Sequence, residues 1–112
     1  QRLSLSQHEI VKVENERGAC LVASDISDAV MPGVIVISTG AWFDPDYQTD
    51  GQAGSQLLCK HGNPNMLTPD LGTSQLAQGP SAHSCLVDIV KLAGPPPAVT
   101  AFSRPDFILR AN

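Results

Sequence analysis

The sequence is poor in aromatic residues, in charge and in basic clusters. Only 4% of its 112 residues are aromatic, 16% are charged, and the formal net charge is −4. Because the chain has no basic run and no basic helix, it lacks the surface that binds nucleic acid or an anionic membrane. It also lacks an apolar stretch of about 20 residues and a signal-peptide pattern. We therefore expect no nucleic-acid partner and no membrane insertion.

Cysteine is scarce as well. Cys20, Cys59 and Cys85 are an odd set without CxxC or metal-ligand spacing, so neither a zinc site nor a disulfide framework is expected. Cys20 and Cys85 lie in apolar, strand-like contexts, where a buried and inert thiol is the usual case.

Glycine and proline, in contrast, are abundant, with nine of each. The hydrophobic content of 42% is that of a globular chain, and the length allows at most one domain. Many turn-forming residues and few long helical patterns predict a loop-rich β protein.

Three elements are predicted in the first third of the chain. Residues 9–14 and 19–23 read as strands of a hairpin, joined by a turn in which Gly18 is available for positive φ. Ser24 and Asp25 are capable of capping a short helix that ends near residue 30. The β-branched run 34–37 is typical of a strand buried on both faces.

The rest of the chain predicts a long polar loop followed by short elements. The loop covers residues 40–57, and a short strand is possible at 65–68. Thr73 or Ser74 is a candidate N-cap for one helical turn through Ala77. Residues 85–90 predict a strand and 98–102 a weaker one. Short strands with long crossings favour a small barrel.

One run, residues 61–79, concentrates neutral hydrogen-bonding groups. It holds three glycines, two prolines and seven Asn, Gln, Thr or Ser residues, with one carboxylate and no lysine or arginine. Because Asn and Gln each offer a carbonyl acceptor and an amide donor, such a run suits the polar edges of a heterocycle.

Three stretches in order resemble a known family. They are residues 13–18 (VENERG), residues 32–37 with 40–45 (PGVIVI and GAWFDP), and the 61–79 run (HGNPNMLTPDLGTSQLAQG). Together they resemble the C-terminal cofactor-binding domain of molybdopterin oxidoreductases. The likeness is most specific to the trimethylamine-N-oxide, dimethyl-sulfoxide and biotin-sulfoxide reductases.

The resemblance implies a mainly β fold, a six-stranded double-psi β-barrel with short helices and long loops. In that family the domain caps a bis(molybdopterin guanine dinucleotide) molybdenum centre. Residues 1–112 would then form a single molybdopterin dinucleotide-binding domain, a fragment of a larger oxidoreductase. The resemblance implies cofactor contacts for four residues: Asn63, Asn65, Gln78 and Gly79.

Two further residues of the run, Asp70 and Ser74, are candidate cofactor contacts with alternatives. Asp70 either accepts from a guanine edge or caps the turn at Leu71 and Gly72, and the cap is slightly favoured. Ser74 either contacts the cofactor or only stabilises its turn. Backbone N–H groups at residues 72–74 are candidates for an anion such as a pyrophosphate.

The sequence also departs from the family pattern. The family's opening loop, with His-Pro and an Arg-Leu-His-Ser-Gln motif, has only faint echoes at residues 2–3 and 6–7, so the barrel is expected to be incomplete at its N-terminus. The serine that ligates molybdenum belongs to another domain in this family. We therefore assign no catalytic residue and no metal ligand here, and expect the remaining domains of a parent reductase as partners.

Other side chains carry weaker signals. Trp42 is either a lid residue near the metal or an aromatic plug for the barrel end, and the plug is favoured. The acidic residues of the long loop lack calcium-loop order and predict a solvated acidic loop: Asp44, Asp46 and Asp50. The histidines have no metal-site spacing: His8, His61 and His83. Ser84 has no nucleophile-elbow context.

The sequence thus predicts that the chain binds part of the molybdenum cofactor within an S- or N-oxide reductase and has no reductase activity alone. The alternative is a stand-alone small β-barrel interaction module, or a remnant, that has lost cofactor binding. The compartment stays open between bacterial periplasm and cytoplasm.

Overall fold

A single mixed sheet organises the fold. The computed structural model describes residues 3–47 and 57–108. Its regular elements are four strands and one 3₁₀ turn: β1 Ile10–Glu14, β2 Ala19–Ala23, β3 Leu58–Cys59, the 3₁₀ turn Pro64–Met66, and β4 Asp88–Lys91. The sheet order is β3-β2-β1-β4, with β1 antiparallel to β2 and β4, and β2 parallel to β3. The regular structure of the described residues is mainly β, and their sheet does not close into a barrel.

The β1–β2 hairpin confirms the sequence prediction. β1 alternates between half-buried and buried residues, and the Cα register runs from Ile10 opposite Ala23 to Glu14 opposite Ala19. The Asn15 N–H donates to the Gly18 carbonyl at 3.0 Å and closes the turn. This hairpin forms because its pattern and its turn chemistry are both local.

The predicted role of Gly18 is wrong. Its φ is not positive, so the turn does not use the conformational freedom of glycine. A Cβ at Gly18 would lie 2.9 Å from the Met66 carbonyl oxygen and 3.3 Å from that of Leu57. Glycine is needed at this position because two other backbone segments approach it closely.

The core is small and contains only aliphatic side chains and cysteine thiols. It joins Val11 and Val13 of β1, Cys20 of β2, Cys59 of β3, and Leu67 after the 3₁₀ turn. Burial, with a contribution from Cys59, raises the pKa of the Cys20 thiol to about 11. The prediction of a buried, inert thiol is confirmed for Cys20, whereas Cys85 is only partly buried.

Two predicted elements of the first half are wrong. Residues 24–30 form no helix, and only a turn lies at residues 28–29. Residues 34–37 form no strand and are largely exposed, with Val36 at 74%. β-branched residues favour an extended backbone, but a strand also needs a neighbour to pair with. None of the four described strands pairs with this run.

In the second half of the chain, two predicted strands do not form and one forms in part. The expected strand at 65–68 is replaced by the 3₁₀ turn, because Pro64 fixes φ at its first position and lacks an N–H. Residues 98–102 form no strand. The strand expected at 85–90 is present as β4, overlapping at residues 88–90. The long loop is interrupted by a bridge from Pro45 to Cys59, and its residues 48–56, with Asp50, lie outside the described residues.

The described helical structure is limited to that one short turn. Accordingly, the part of the chain that the structure describes holds no helix with the length and apolar character needed to cross a bilayer.

Candidate cofactor-binding site

Asn63 and Asn65 form the first cluster of candidate residues. The Asn65 N–H donates to the Asn63 Oδ1 at 3.0 Å, so the Asn63 side chain caps the 3₁₀ turn. The other half of that side chain, the Nδ2 amide, has no hydrogen-bond partner among the described residues. Asn65 is exposed. The turn therefore presents amide groups that no described residue binds, on a backbone held by its own hydrogen bonds.

Asn15 anchors this turn to the hairpin. Its Nδ2 donates to the carbonyls of Leu67 at 2.8 Å and Leu86 at 3.3 Å, while its Oδ1 accepts from the Arg17 N–H at 2.9 Å. One side chain thus joins three segments that are distant in sequence. Sequence reasoning missed this role, and the only signal was the position of Asn15 inside the VENERG motif.

The second cluster is a closed loop at residues 74–79. The Gln78 N–H donates to the Ser74 carbonyl at 2.8 Å, and the Ser74 N–H donates to the Gly79 carbonyl at 2.9 Å. Ser74 Oγ accepts from the Ala77 N–H at 3.4 Å. The predicted Ser74 cap is confirmed, although the turn does not extend into a helix. Gln78 has a φ of 53°, a left-handed conformation that is unfavourable without glycine.

The loop supports only part of the predicted anion site. Because the Ser74 N–H binds the Gly79 carbonyl, it is not available to a phosphate. The Gly72 and Thr73 N–H groups have no partner within the described ranges. A single turn has no helix N-terminus of the kind that attracts anions.

Glycine leaves open space on this loop. A Cβ at Gly72 or Gly79 would meet nothing within 4 Å. The expected close approach of a ligand to the Gly79 backbone is therefore sterically possible.

Asp70 is exposed, and its carboxylate caps neither Leu71 nor Gly72, since the Leu71 N–H donates to the Pro69 carbonyl. The favoured cap interpretation of Asp70 is wrong, and a ligand contact stays a prediction.

Trp42 is held by its backbone and not by its ring. Its N–H donates to His61 Nδ1 at 3.1 Å, and its carbonyl accepts from the Cys59 thiol at 3.8 Å. The side chain is 67% exposed, so the favoured plug interpretation is wrong.

Asp44 contradicts the prediction of a solvated acidic loop, because it is 4% exposed. Its carboxylate accepts from the Thr100 N–H and Oγ, both at 2.6 Å, and from the Ala101 N–H at 3.0 Å. Lys60 Nζ lies 3.5 Å away. Burial raises the pKa of this carboxyl, but the Thr100 and Ala101 hydrogen bonds and the Lys60 charge outweigh burial and lower it.

Comparison with known proteins identifies the family. Residues 1–86 match the model of the Molydopterin dinucleotide binding domain. The chain belongs to the molydopterin dinucleotide binding domain family. The resemblance seen in the sequence motifs is thereby confirmed.

Relatives of this domain are large reductases. The trimethylamine-N-oxide reductase of Salmonella typhimurium is 54% identical over 97 residues, which are 87% of this chain and 11% of that protein. The enzyme of the same name from Vibrio cholerae is 44% identical over 97 residues, again 87% and 11%. The dimethyl sulfoxide/trimethylamine N-oxide reductase of Cereibacter sphaeroides is 43% identical over 102 residues, 90% and 12%. The chain spans about a tenth of the length of these relatives.

The donor set of this family member fits the base and pterin parts of a dinucleotide cofactor. Asn63, Asn65 and Gln78 carry neutral amides that match mixed donor and acceptor edges, and Gly79 leaves its backbone open. The fit to phosphate is weaker, since it depends on the Gly72 and Thr73 N–H groups. Within residues 3–47 and 57–108, no group of three or more His, Cys, Asp or Glu side chains could hold a metal ion.

Proposed function

We propose that the chain binds part of a bis(molybdopterin guanine dinucleotide) molybdenum cofactor as the C-terminal domain of an S- or N-oxide reductase. One observation carries this proposal: the family-matched run holds the Asn63 side chain in a capped turn, and no described residue engages its amide donor. A donor held in one orientation binds an acceptor with less entropy loss than a mobile one.

The domain's share of the reaction is binding, orientation and exclusion of water. When bound, the cofactor supplies the oxygen-atom transfer and two-electron chemistry. The six candidate contacts would present different chemical groups to the cofactor. Three present side-chain amides: Asn63, Asn65 and Gln78. Gly79 presents an open backbone, Ser74 a hydroxyl proton and Asp70 a carboxylate acceptor. The remaining domains of the parent reductase, meaning the longer protein to which we assign this chain, would supply the metal ligand.

We further propose that residues 1–112 belong to a single domain with a six-stranded double-psi barrel fold, to which the parent contributes further strands. An apolar groove of about 480 Å³ beside the open sheet supports this, because it leaves room for them. Side chains of β1, β2 and β4 line the groove on one side, and the unpaired run 34–37 lines it on the other. Additional strands from the parent would fill the groove and pair with exposed backbone.

The test substitutes Asn63→Asp and Gln78→Gly in the parent reductase. Asp at position 63 keeps the oxygen that caps the turn but loses the amide donor. Gly at position 78 relieves the left-handed backbone and removes only the side chain. We expect each change to raise the dissociation constant of the cofactor about tenfold, the effect of losing roughly 1.4 kcal/mol of binding. The molybdenum and GMP content of the purified protein should fall accordingly when cofactor is limiting.

Gln75→Ala is the matched control, because Gln75 is an exposed residue of the same loop that is not a candidate contact. It should leave the cofactor content unchanged. Wild-type content in both test variants would contradict the assigned contacts. An unaltered parent without cofactor would contradict the function itself and favour the interaction-module alternative.

A further inference from the structure

The segment after β4 is held to the rest of the fold at one place. Residues 95–108, which we name the strap, are exposed apart from the half-buried Pro97 and Ala101, and none of them belongs to the core. Among the described residues, the hydrogen bonds that leave the strap all go to Asp44 and Lys60. A segment with so few buried contacts opens at a lower free-energy cost than the sheet does.

Asp44 and Lys60 hold Thr100 between them, and we name these three side chains the clasp. The Asp44 carboxylate accepts from the Thr100 N–H and from its Oγ, each at 2.6 Å. Lys60 Nζ donates to the same Oγ at 3.1 Å. The Thr100 hydroxyl therefore donates to a carboxylate and accepts from an ammonium group, and both bonds involve a charged partner.

The clasp is fixed on the side of the sheet. The Asp44 N–H donates to Cys59 Sγ at 3.4 Å, and the Asp44 carbonyl accepts from the Lys60 N–H at 2.8 Å. The side chains of Lys60 and Asp44 are only 11% and 5% exposed and form an ion pair. Thr100, in contrast, is exposed. Opening of the clasp would therefore move the strap and leave Asp44 and Lys60 in place.

A hinge precedes the strap. Gly94 has a φ of 89°, a conformation that residues with a side chain rarely adopt. Residues 95–97 are three consecutive prolines, which lack the N–H that a neighbouring strand would bind and which keep the backbone stiff and extended. This arrangement lets the strap move as an arm about Gly94 without disturbing β4.

The strap lies against the segment that leads into the candidate cofactor site. The Phe102 ring packs edge-to-face against His61, with centroids 5.0 Å apart. Asn63 follows two residues later, a span of at most about 7 Å. The intervening Gly62 is tightly packed, because a Cβ there would lie 3.0 Å from the Leu21 carbonyl oxygen. The closed strap is thus next to a turn whose position is fixed.

We propose that the strap is a gate for the cofactor: the clasp holds it closed beside the Asn63 turn, and cofactor enters and leaves when it opens. This inference rests on the proposed function. A gate differs measurably from a cofactor contact. A contact changes the dissociation constant, whereas a gate changes the rates of association and dissociation by the same factor and leaves the dissociation constant unchanged.

The test combines Thr100→Val with Phe102→Ala in the parent reductase. This double variant loses the hydroxyl of the clasp and the ring contact to His61, but it keeps the buried ion pair. The purified protein should release molybdenum and GMP about tenfold faster than wild type, the size expected for losing one hydrogen bond to a charged group. Loading of the cofactor-free parent with bis(molybdopterin guanine dinucleotide) molybdenum should be faster by the same factor.

Phe107→Ala is the matched control. Phe107 belongs to the strap and is as exposed as Phe102, at 75%, and within the described residues its ring packs against no other ring. This variant should release and take up cofactor at the wild-type rates. Acceleration equal to that of the double variant would overturn the gate, because it would not depend on the clasp or on the His61 contact.

Amide hydrogen exchange gives a second measurement, which does not depend on bound cofactor. The Thr100 and Ala101 N–H groups donate to Asp44, and in the double variant they should exchange at least about tenfold faster. The amides of β1 and β2 should exchange as in wild type. Equal acceleration in the strap and in the hairpin would indicate general destabilisation and would overturn the gate.

The outcomes separate the gate from the proposed function. A parent that holds cofactor and releases it at one rate in all three proteins overturns only the gate. Faster release without faster uptake would make the strap a cofactor contact and would also overturn the gate alone. A parent without cofactor overturns the cofactor-binding proposal and, with it, the gate.

Discussion

At the scale of single residues, Asp44 is the most constrained side chain in the described structure. It accepts three hydrogen bonds from residues 100 and 101 and pairs with Lys60. No sequence pattern indicates this, because the hydrogen-bond donors at residues 100 and 101 are more than 50 residues away and Asp44 stands among other acidic residues. A carboxylate that ties two distant segments together is identified only by the tertiary structure.

We predict that Asp44→Asn destabilises the folded protein by about 1–3 kcal/mol at neutral pH. The amide cannot pair with Lys60, and its nitrogen would face donors. The pKa of Asp44 is lowered on folding, so its stabilisation is present above the unfolded pKa of about 3.9 and is lost as the pH falls below it. Urea unfolding of the parent between neutral and acid pH measures both effects.

In Asp44→Asn, the free energy of unfolding should therefore also fall less steeply as the pH is lowered into the acid range. Some decrease should remain, because the Ser6 N–H and Lys91 lower the pKa of Glu9 as well. The control is Asp106→Asn, an exposed carboxylate whose removal should change stability by less than about 0.5 kcal/mol. An unchanged pH profile in Asp44→Asn would show that the ion pair contributes nothing.

At the scale of elements, the hairpin and the Asn63 turn are packed together through a glycine. Gly18 lies against the carbonyl oxygens of Met66 and Leu57, and Asn15 binds the Leu67 carbonyl. The hairpin turn thus packs against the 3₁₀ turn that carries the candidate contacts Asn63 and Asn65. Any side chain added at residue 18 would displace that turn.

We predict that Gly18→Ala destabilises the protein by about 1–3 kcal/mol, as overpacking does elsewhere. A backbone oxygen 2.9 Å from the new Cβ cannot move aside as a flexible side chain would. Gly72→Ala is the matched control, because its Cβ would meet nothing within 4 Å and its φ is ordinary. That control should be neutral or slightly stabilising. The melting temperatures of both variants, measured by thermal unfolding, test this prediction. Equal melting temperatures would contradict the packing argument.

The elements also show how far the sequence could predict the structure. The β1–β2 hairpin was predictable because its alternation and its turn lie within fifteen residues. The cap at Ser74 was predictable for the same local reason. Residues 34–37 were predicted wrongly, because β propensity cannot reveal whether a pairing strand exists. The candidate site followed from family motifs, whereas its support by Asn15 and Gly18 depends on contacts across the chain.

At the scale of the whole molecule, several large apolar side chains of the described residues remain exposed. Leu76 is 98% exposed, and Leu86 and Ile108 are each 92% exposed. Large apolar side chains that are this exposed favour association of a single chain when they come together in a patch. In the parent reductase, these side chains would face other domains. In the chain alone, they would face water or a second copy.

We therefore predict that the isolated chain, if it melts cooperatively, self-associates at micromolar concentrations. Sedimentation velocity should show a weight-average mass that rises with concentration. Changing Leu76, Leu86 and Ile108 together to serine should shift association to higher concentration. The melting temperature should barely change, because side chains this exposed contribute little to folding. A wild-type chain that stays monomeric, or a triple variant that associates equally, would show that the exposed aliphatic residues do not drive contact. The absence of cooperative melting would instead favour the remnant alternative.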